Sequence, residues 1–319
     1  MCCWRAYSNT QANRSAHDLG RARPHQHSGR RVTGGHEAIA ITLSVLMHVS
    51  WNLIARHQSR DAEPLWWVLL GHLVLIAPWG LYRFLSEAQW SWHLLLLLMA
   101  SAGANVLYFH AIHRAYQHAP VAFVYPLVRS SPLLIAGWSL LFFGESLGAW
   151  AWAGIGISVI GLLAMARTGR GSDEGRALPW ALLAMLATSV YSLTDKAATA
   201  YIAGFGGILG YLSVGYLAAW AAMTLRLHRS TGRWTPRARP GVGAAVVGSL
   251  CIGLAYALVI HAMRTLPAAE VVAYTNAGIA LATVVSLVVF GERTRWLQRA
   301  MAALVICIGL LFIGLGRTL

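Results

Sequence analysis

The chain has 319 residues, 57% hydrophobic and only 11% charged, with a mean hydropathy of +0.55. Such a balance excludes an ordinary soluble domain, in which charged residues make up about 25%. A net charge of +14 would suit a nucleic-acid binder, but the arginines lie in a terminal tail and between apolar runs, as membrane proteins hold them against anionic lipid.

Residues 1–35 carry six arginines and no apolar run. They read as a basic disordered tail, or a start-site artefact, and not as a secretory signal, which needs an apolar stretch before its cleavage site. Ten apolar spans follow, each near the length of about 20 residues that crosses a bilayer. The first five are Ala38–Arg56, Leu65–Tyr82, Trp92–Ala111, Val121–Phe143 and Gly148–Met165. After a polar linker over Arg167–Pro179 come Ala181–Asp195, Ile202–Leu225, Val242–Met263, Ala268–Phe290 and Trp296–Leu315. Cys2, Cys3, Cys251 and Cys307 form neither a disulfide framework nor a CxxC metal pattern. No cofactor motif appears, and no HExxH, GxSxG or P-loop points to an enzyme.

The chain is an internal duplication. Ala115–Glu145 and Ala262–Glu292 align without a gap, with ten identities in thirty-one positions, including Pro120/Pro267 and the closing Phe-Gly-Glu. Five spans per repeat is an odd number, so the second repeat enters the bilayer from the opposite side. The expected fold is an all-α polytopic membrane protein of ten transmembrane helices in two inverted five-helix repeats, 36–166 and 180–319, joined by 167–179.

Arg129 falls near the middle of the fourth span, between Pro126 and Pro132. A charge there costs about 2.5–3.5 kcal/mol on insertion scales, so it should face protein or water. Each proline removes an amide donor and loosens the backbone beside it. The combination reads as a transport site, with Arg129 gripping an anionic group and Ser130 and Ser131 offering hydroxyls. Carbonyl acceptors in the loosened backbone are the structural alternative.

Several stretches carry a family resemblance. They are His48-Val-Ser-Trp51-Asn52, Ala115-Tyr-Gln-His-Ala-Pro120, Tyr125-Pro-Leu-Val-Arg129-Ser-Ser-Pro132, and the Gly-Glu that closes the fourth and ninth spans. Over residues 36–319 the chain resembles EamA-type members of the drug/metabolite transporter superfamily. The resemblance implies ten helices around a central cavity and secondary transport of a small metabolite, such as an amino acid or organic anion, by alternating access. A lipid-moving or receptor-like membrane protein without solute transport is the alternative. The second repeat departs from the pattern with Ala273-Tyr-Thr-Asn276, so the site is asymmetric.

The cavity candidates are Arg129, Tyr125, Ser130, Trp51, Asn52, Tyr108, Tyr191, Lys196, Tyr256, Tyr274 and Asn276. Asn52 and Ser192 fall at equivalent places, and such side chains also make ordinary interhelical hydrogen bonds. Trp51 and the tyrosines serve equally as interface or core aromatics. Asp195 reads as a solvated helix end, with Lys196 reaching back toward the cavity. His261 lies near Glu270 in sequence, and a His–carboxylate pair would couple transport to protons. The competing reading has Glu270 stabilising the start of the ninth helix through its dipole. The expected partners are a small-molecule substrate and membrane lipids, with no nucleic acid, no metal and a homodimer left open. The expected location is the plasma membrane (the inner membrane in a bacterium). Loop arginines favour an outside N-terminus, whereas the resemblance implies cytoplasmic termini, and the latter is the reading adopted.

Overall fold

The computed structural model describes residues 30–57, 63–143, 148–168, 173–264, 271, 275, 277–289, 291 and 295–315. The chain divides into Met1–Glu37 and Ala38–Leu319. Of the first unit only helical backbone from Arg30 onward is described, so helix starts inside the stretch read as a tail. The helices are α1 (Arg30–His57), α2 (Pro64–Leu75), α3 (Ala77–Glu87), α4 (Trp92–His118), α5 (Val121–Val128) and α6 (Ser131–Phe143). They continue with α7 (Ala149–Thr168), α8 (Leu178–Ala198), α9 (Phe205–Thr231), α10 (Val242–Ala262), α11 (Ala277–Val288) and α12 (Trp296–Leu315). A 3₁₀ turn over Asp173–Ala177 fills part of the linker.

Sequence explains where two predicted spans break. The second is the pair α2–α3, bent by 57° where Pro78 opens the new helix without an amide to donate. The fourth is interrupted at Arg129-Ser130, between its two prolines. Among the described residues, α4, Asp173–Ala198, α9 and α10 are long and apolar enough to cross a membrane, and the bent pair adds a fifth. The apolar parts of α1, α5–α6, α7 and α12 are shorter. No strand occurs among the described residues beyond a single bridge between Ala88 and Ile202.

The polarity is that of a protein dissolved in lipid. On α4, Leu96 and Met99 face outward at 68% and 72% exposure, while Ser101, Asn105 and Tyr108 are buried. Small residues let helices approach where no hydrophobic difference drives them together. A Cβ on Gly210 of α9 would meet the backbone carbonyl of Gly80 on α3. One on Gly309 of α12 would meet Ser158 on α7. The other close pairings are α4 with α8 and α9, α2 with α10, and α5 with α8 and α11.

Candidate functional site

On α1, Ser44, His48 and Trp51 recur at helical spacing along one buried face. The Ser44 hydroxyl donates to the Ala255 carbonyl at 2.7 Å, fixing α1 to α10. His48 turns Nδ1 to the Ser44 carbonyl at 3.0 Å and gives the rest of its ring to a central cavity. Trp51 lies beside it. From α4 come Asn105, Tyr108 and Phe109, from α8 Thr188 and Tyr191, from α9 Tyr216, and from α10 Ile252 and Tyr256. Val128 and Arg129, at the break after α5, complete the wall. The empty space amounts to about 410 Å³, part of it open to solvent.

The wall is mostly aromatic, and its rings meet edge to face. Tyr191 sits 5.6 Å from Tyr108 and 5.1 Å from Tyr256, and Phe109 sits 5.1 Å from Tyr108 and 5.5 Å from Tyr216. Such contacts hold the rings in fixed orientations, each worth about 0.5–1.5 kcal/mol beyond burial. The small polar groups are already engaged. Asn105 donates to the Ser101 carbonyl, Thr188 to Ala184 and Tyr216 to Ile252. Among the described residues, Arg129 is the one arginine or lysine on the wall, and no carboxylate lines the cavity. Its guanidinium lies over the Tyr125 ring, 5.3 Å from the centroid.

Residues 36–167 match the EamA-like transporter family. That segment of the chain is EamA-like. A protein crystal structure shares the fold at a TM-score of 0.61 and 20% identity, covering 89% of this chain and 99% of that one. Among curated proteins nothing matches. The matched family is one of transporters, and the apolar helices are those of a multi-pass membrane protein.

The cavity brings together five of the residues that sequence singled out: Arg129, Trp51, Tyr108, Tyr191 and Tyr256. Tyr125 stands behind the wall, with its ring under Arg129. The Ser130 hydroxyl is given to the Pro126 carbonyl at 2.7 Å, so it replaces part of the bonding the broken backbone loses. Asn52 is also engaged, donating to the His48 carbonyl at 2.8 Å and accepting from Tyr116 at 2.5 Å. Its counterpart Ser192 likewise receives a tyrosine hydroxyl, that of Tyr256, at 3.4 Å. Lys196 is half-buried and off the cavity wall. His261 is exposed near the end of α10, with its ring against Phe205. Glu270, Tyr274 and Asn276 lie outside the described residues.

Asp195 requires a correction. It is 1% exposed and faces inward, not solvated, because α8 runs on to Ala198 and keeps position 195 inside the bundle. Along α4 three polar levels follow one another. Ser101 lies near Asp195, Asn105 to Phe109 line the cavity, and His113 and Gln117 lie toward the other end. There Glu63 joins Arg226 at 2.9 Å and His113 at 3.4 Å, tying the start of α2 to α9 and α4. Seven cavity residues escaped the sequence reading: His48, Asn105, Phe109, Val128, Thr188, Tyr216 and Ile252. His48, Asn105, Thr188 and Tyr216 carried a signal, as polar or amphipathic residues inside apolar spans.

Proposed function

We propose that this chain is a secondary transporter whose cavity takes a small carboxylate-bearing metabolite. The carboxylate would lie on Arg129, and the body of the solute among Trp51, Tyr108, Tyr191 and Tyr256. The observation that carries this reading is a guanidinium on the wall of an aromatic cavity that holds no acidic side chain among the described residues. Arginine offers two parallel donors to a carboxylate, and a water-poor site strengthens both bonds. Aromatic walls suit apolar solute bodies, and few polar groups remain free to select others.

Alternating access between inverted repeats, 36–166 and 180–319, is the proposed mechanism. It is supported by how the helices pair. α3 meets α9, α5 meets α11 and α7 meets α12, and in each case the partners are corresponding parts of the two halves. A duplication folded about a pseudo-two-fold axis makes those contacts. Ten spans in a plasma membrane complete the proposal. Its test is counterflow in proteoliposomes with radiolabelled L-phenylalanine, succinate, glucose and choline. Exchange of a carboxylate-bearing solute, but not of glucose or choline, is expected. Carriage of choline with neither carboxylate would overturn the assignment.

A further inference from the structure

We propose that Asp195 is a proton-binding site that couples transport by this chain to a pH gradient. The coupling rests on the transport reading, whereas the proton site stands on its own geometry. Asp195 belongs to a helix long and apolar enough to cross a membrane, and it is 1% exposed. Among the described residues no lysine, arginine or histidine forms an ion pair with it, and neither carboxylate oxygen has a full hydrogen bond. A buried carboxylate without a cation is costly in membrane, and such groups mark ion pathways. A proton removes the charge.

What faces Asp195 is a ring of hydroxyls from three other helices: Ser101 of α4, Tyr211 of α9 and Tyr256 of α10. All lie within interaction range, although none meets full hydrogen-bond geometry. A hydroxyl donates to a carboxylate or accepts from a carboxylic acid by rotating its O–H, so the ring serves both charge states without backbone movement. The remaining neighbours do not supply a fixed counter-charge. Tyr191 on the same helix and Tyr216 of α9 feel its charge, and both are phenols. Lys196, one position on, turns to a different face of α8. On the α5 side, Arg129 acts on Tyr108 and Tyr191. α6 carries no titratable side chain. A metal is the poorer occupant, since α8 is unbroken at Asp195 and its carbonyls are already engaged, and the described residues hold no His/Cys/Asp/Glu metal cluster.

Tyr256 links the two sites. It lines the cavity, packs on Tyr191 and lies within reach of both Ser192 and Asp195. Neutralising Asp195 therefore changes what the hydroxyl of a wall residue bonds. In each cycle the carboxylate takes one proton from water on one face and returns it to water on the other, with no electron transferred.

Two measurements on the full chain test this. The first is infrared difference spectroscopy between acid and alkaline buffer. Wild type should give the carbonyl band of a buried carboxylic acid, and Asp195→Asn should lose it. If Asp195→Asn does not fold, Tyr256→Phe replaces it, and a shifted band is expected from the loss of one hydroxyl. A wild type without the band, or a variant with it unchanged, overturns the site. The second uses L-phenylalanine and succinate in proteoliposomes. Asp195→Asn should still exchange a carried probe but fall to the level of protein-free vesicles in pH-driven accumulation. Accumulation that survives in the variant, or that follows a sodium gradient in wild type, overturns the coupling. Loss of exchange by a folded variant assigns Asp195 to the solute instead. If wild type exchanges neither probe, the transport reading fails while the infrared band still decides the proton site.

Discussion

Arg129 owes its position to its neighbours. Tyr125 is 2% exposed and sits one turn before it, presenting a ring face to the guanidinium, a contact worth about 0.5–2 kcal/mol. The Tyr125 hydroxyl in turn approaches Gly278 of α11, where a Cβ would stand 2.9 Å from it. Lysine at 129 keeps the charge but loses the planar fork. Arg129→Lys should insert and remain stable while carboxylate transport falls by about tenfold or more, measured as initial uptake. Normal transport by that variant would return Arg129 to the scaffold. Another arginine plays a structural part. Arg299 is 1% exposed and donates to both carboxylate oxygens of Glu174 at 2.5 Å, with its guanidinium 5.9 Å from the Phe123 ring centroid. Glu174→Gln leaves that buried charge uncompensated and should cost about 3 kcal/mol, read as a lower unfolding temperature in detergent.

At the scale of elements, close helix crossings set what the chain tolerates. Gly210 faces the backbone of Gly80, which has no rotamer with which to yield. Gly210→Val should destabilise the α3–α9 pair by about 1–3 kcal/mol. Gly103, on the outward face of α4, has open space where a Cβ would stand, with no neighbouring atom within 4 Å, so Gly103→Ala should cost nothing in the same thermal assay. The elements themselves were largely legible, because runs of apolar residues and two prolines mark spans and breaks. Pro126 and Pro132 flank the break at Arg129, whereas the bend at Pro78 went unread inside the span Leu65–Tyr82. Span ends were less legible. Reading the sixth helix as ending at Asp195 put that carboxylate in solvent, whereas three further helical residues keep it inside.

For the whole molecule, orientation is the open variable. Cytoplasmic termini with ten spans put the end of α9 outside the cell. The probe position is Ser230, an exposed residue near that end. In a background with Cys2 and Cys3 replaced by serine, Ser230→Cys should react with an impermeant thiol reagent added from outside. Protection of that cysteine reverses the orientation and makes the arginines from Arg226 to Arg239 cytoplasmic, as the positive-inside rule favours.

Composition and periodicity by themselves determined that this is a helical membrane protein, since burying so little charge in so many apolar runs leaves no other solvent for it. They also pointed to Arg129 and to Trp51, Tyr108, Tyr191 and Tyr256, because a charge or large amphipathic ring inside a span is conspicuous in one dimension. Only the tertiary structure decided which small polar groups matter. Asn105, Thr188 and Ser130 look alike in sequence, yet one lines the cavity through α4, another through α8, and the third mends the backbone at Pro126. Asp195 and Tyr216 gain their surroundings from helices distant in the chain. Which face of a helix meets which neighbour depends on crossing angles and small-residue contacts, and those are set by packing between helices, which no single span encodes.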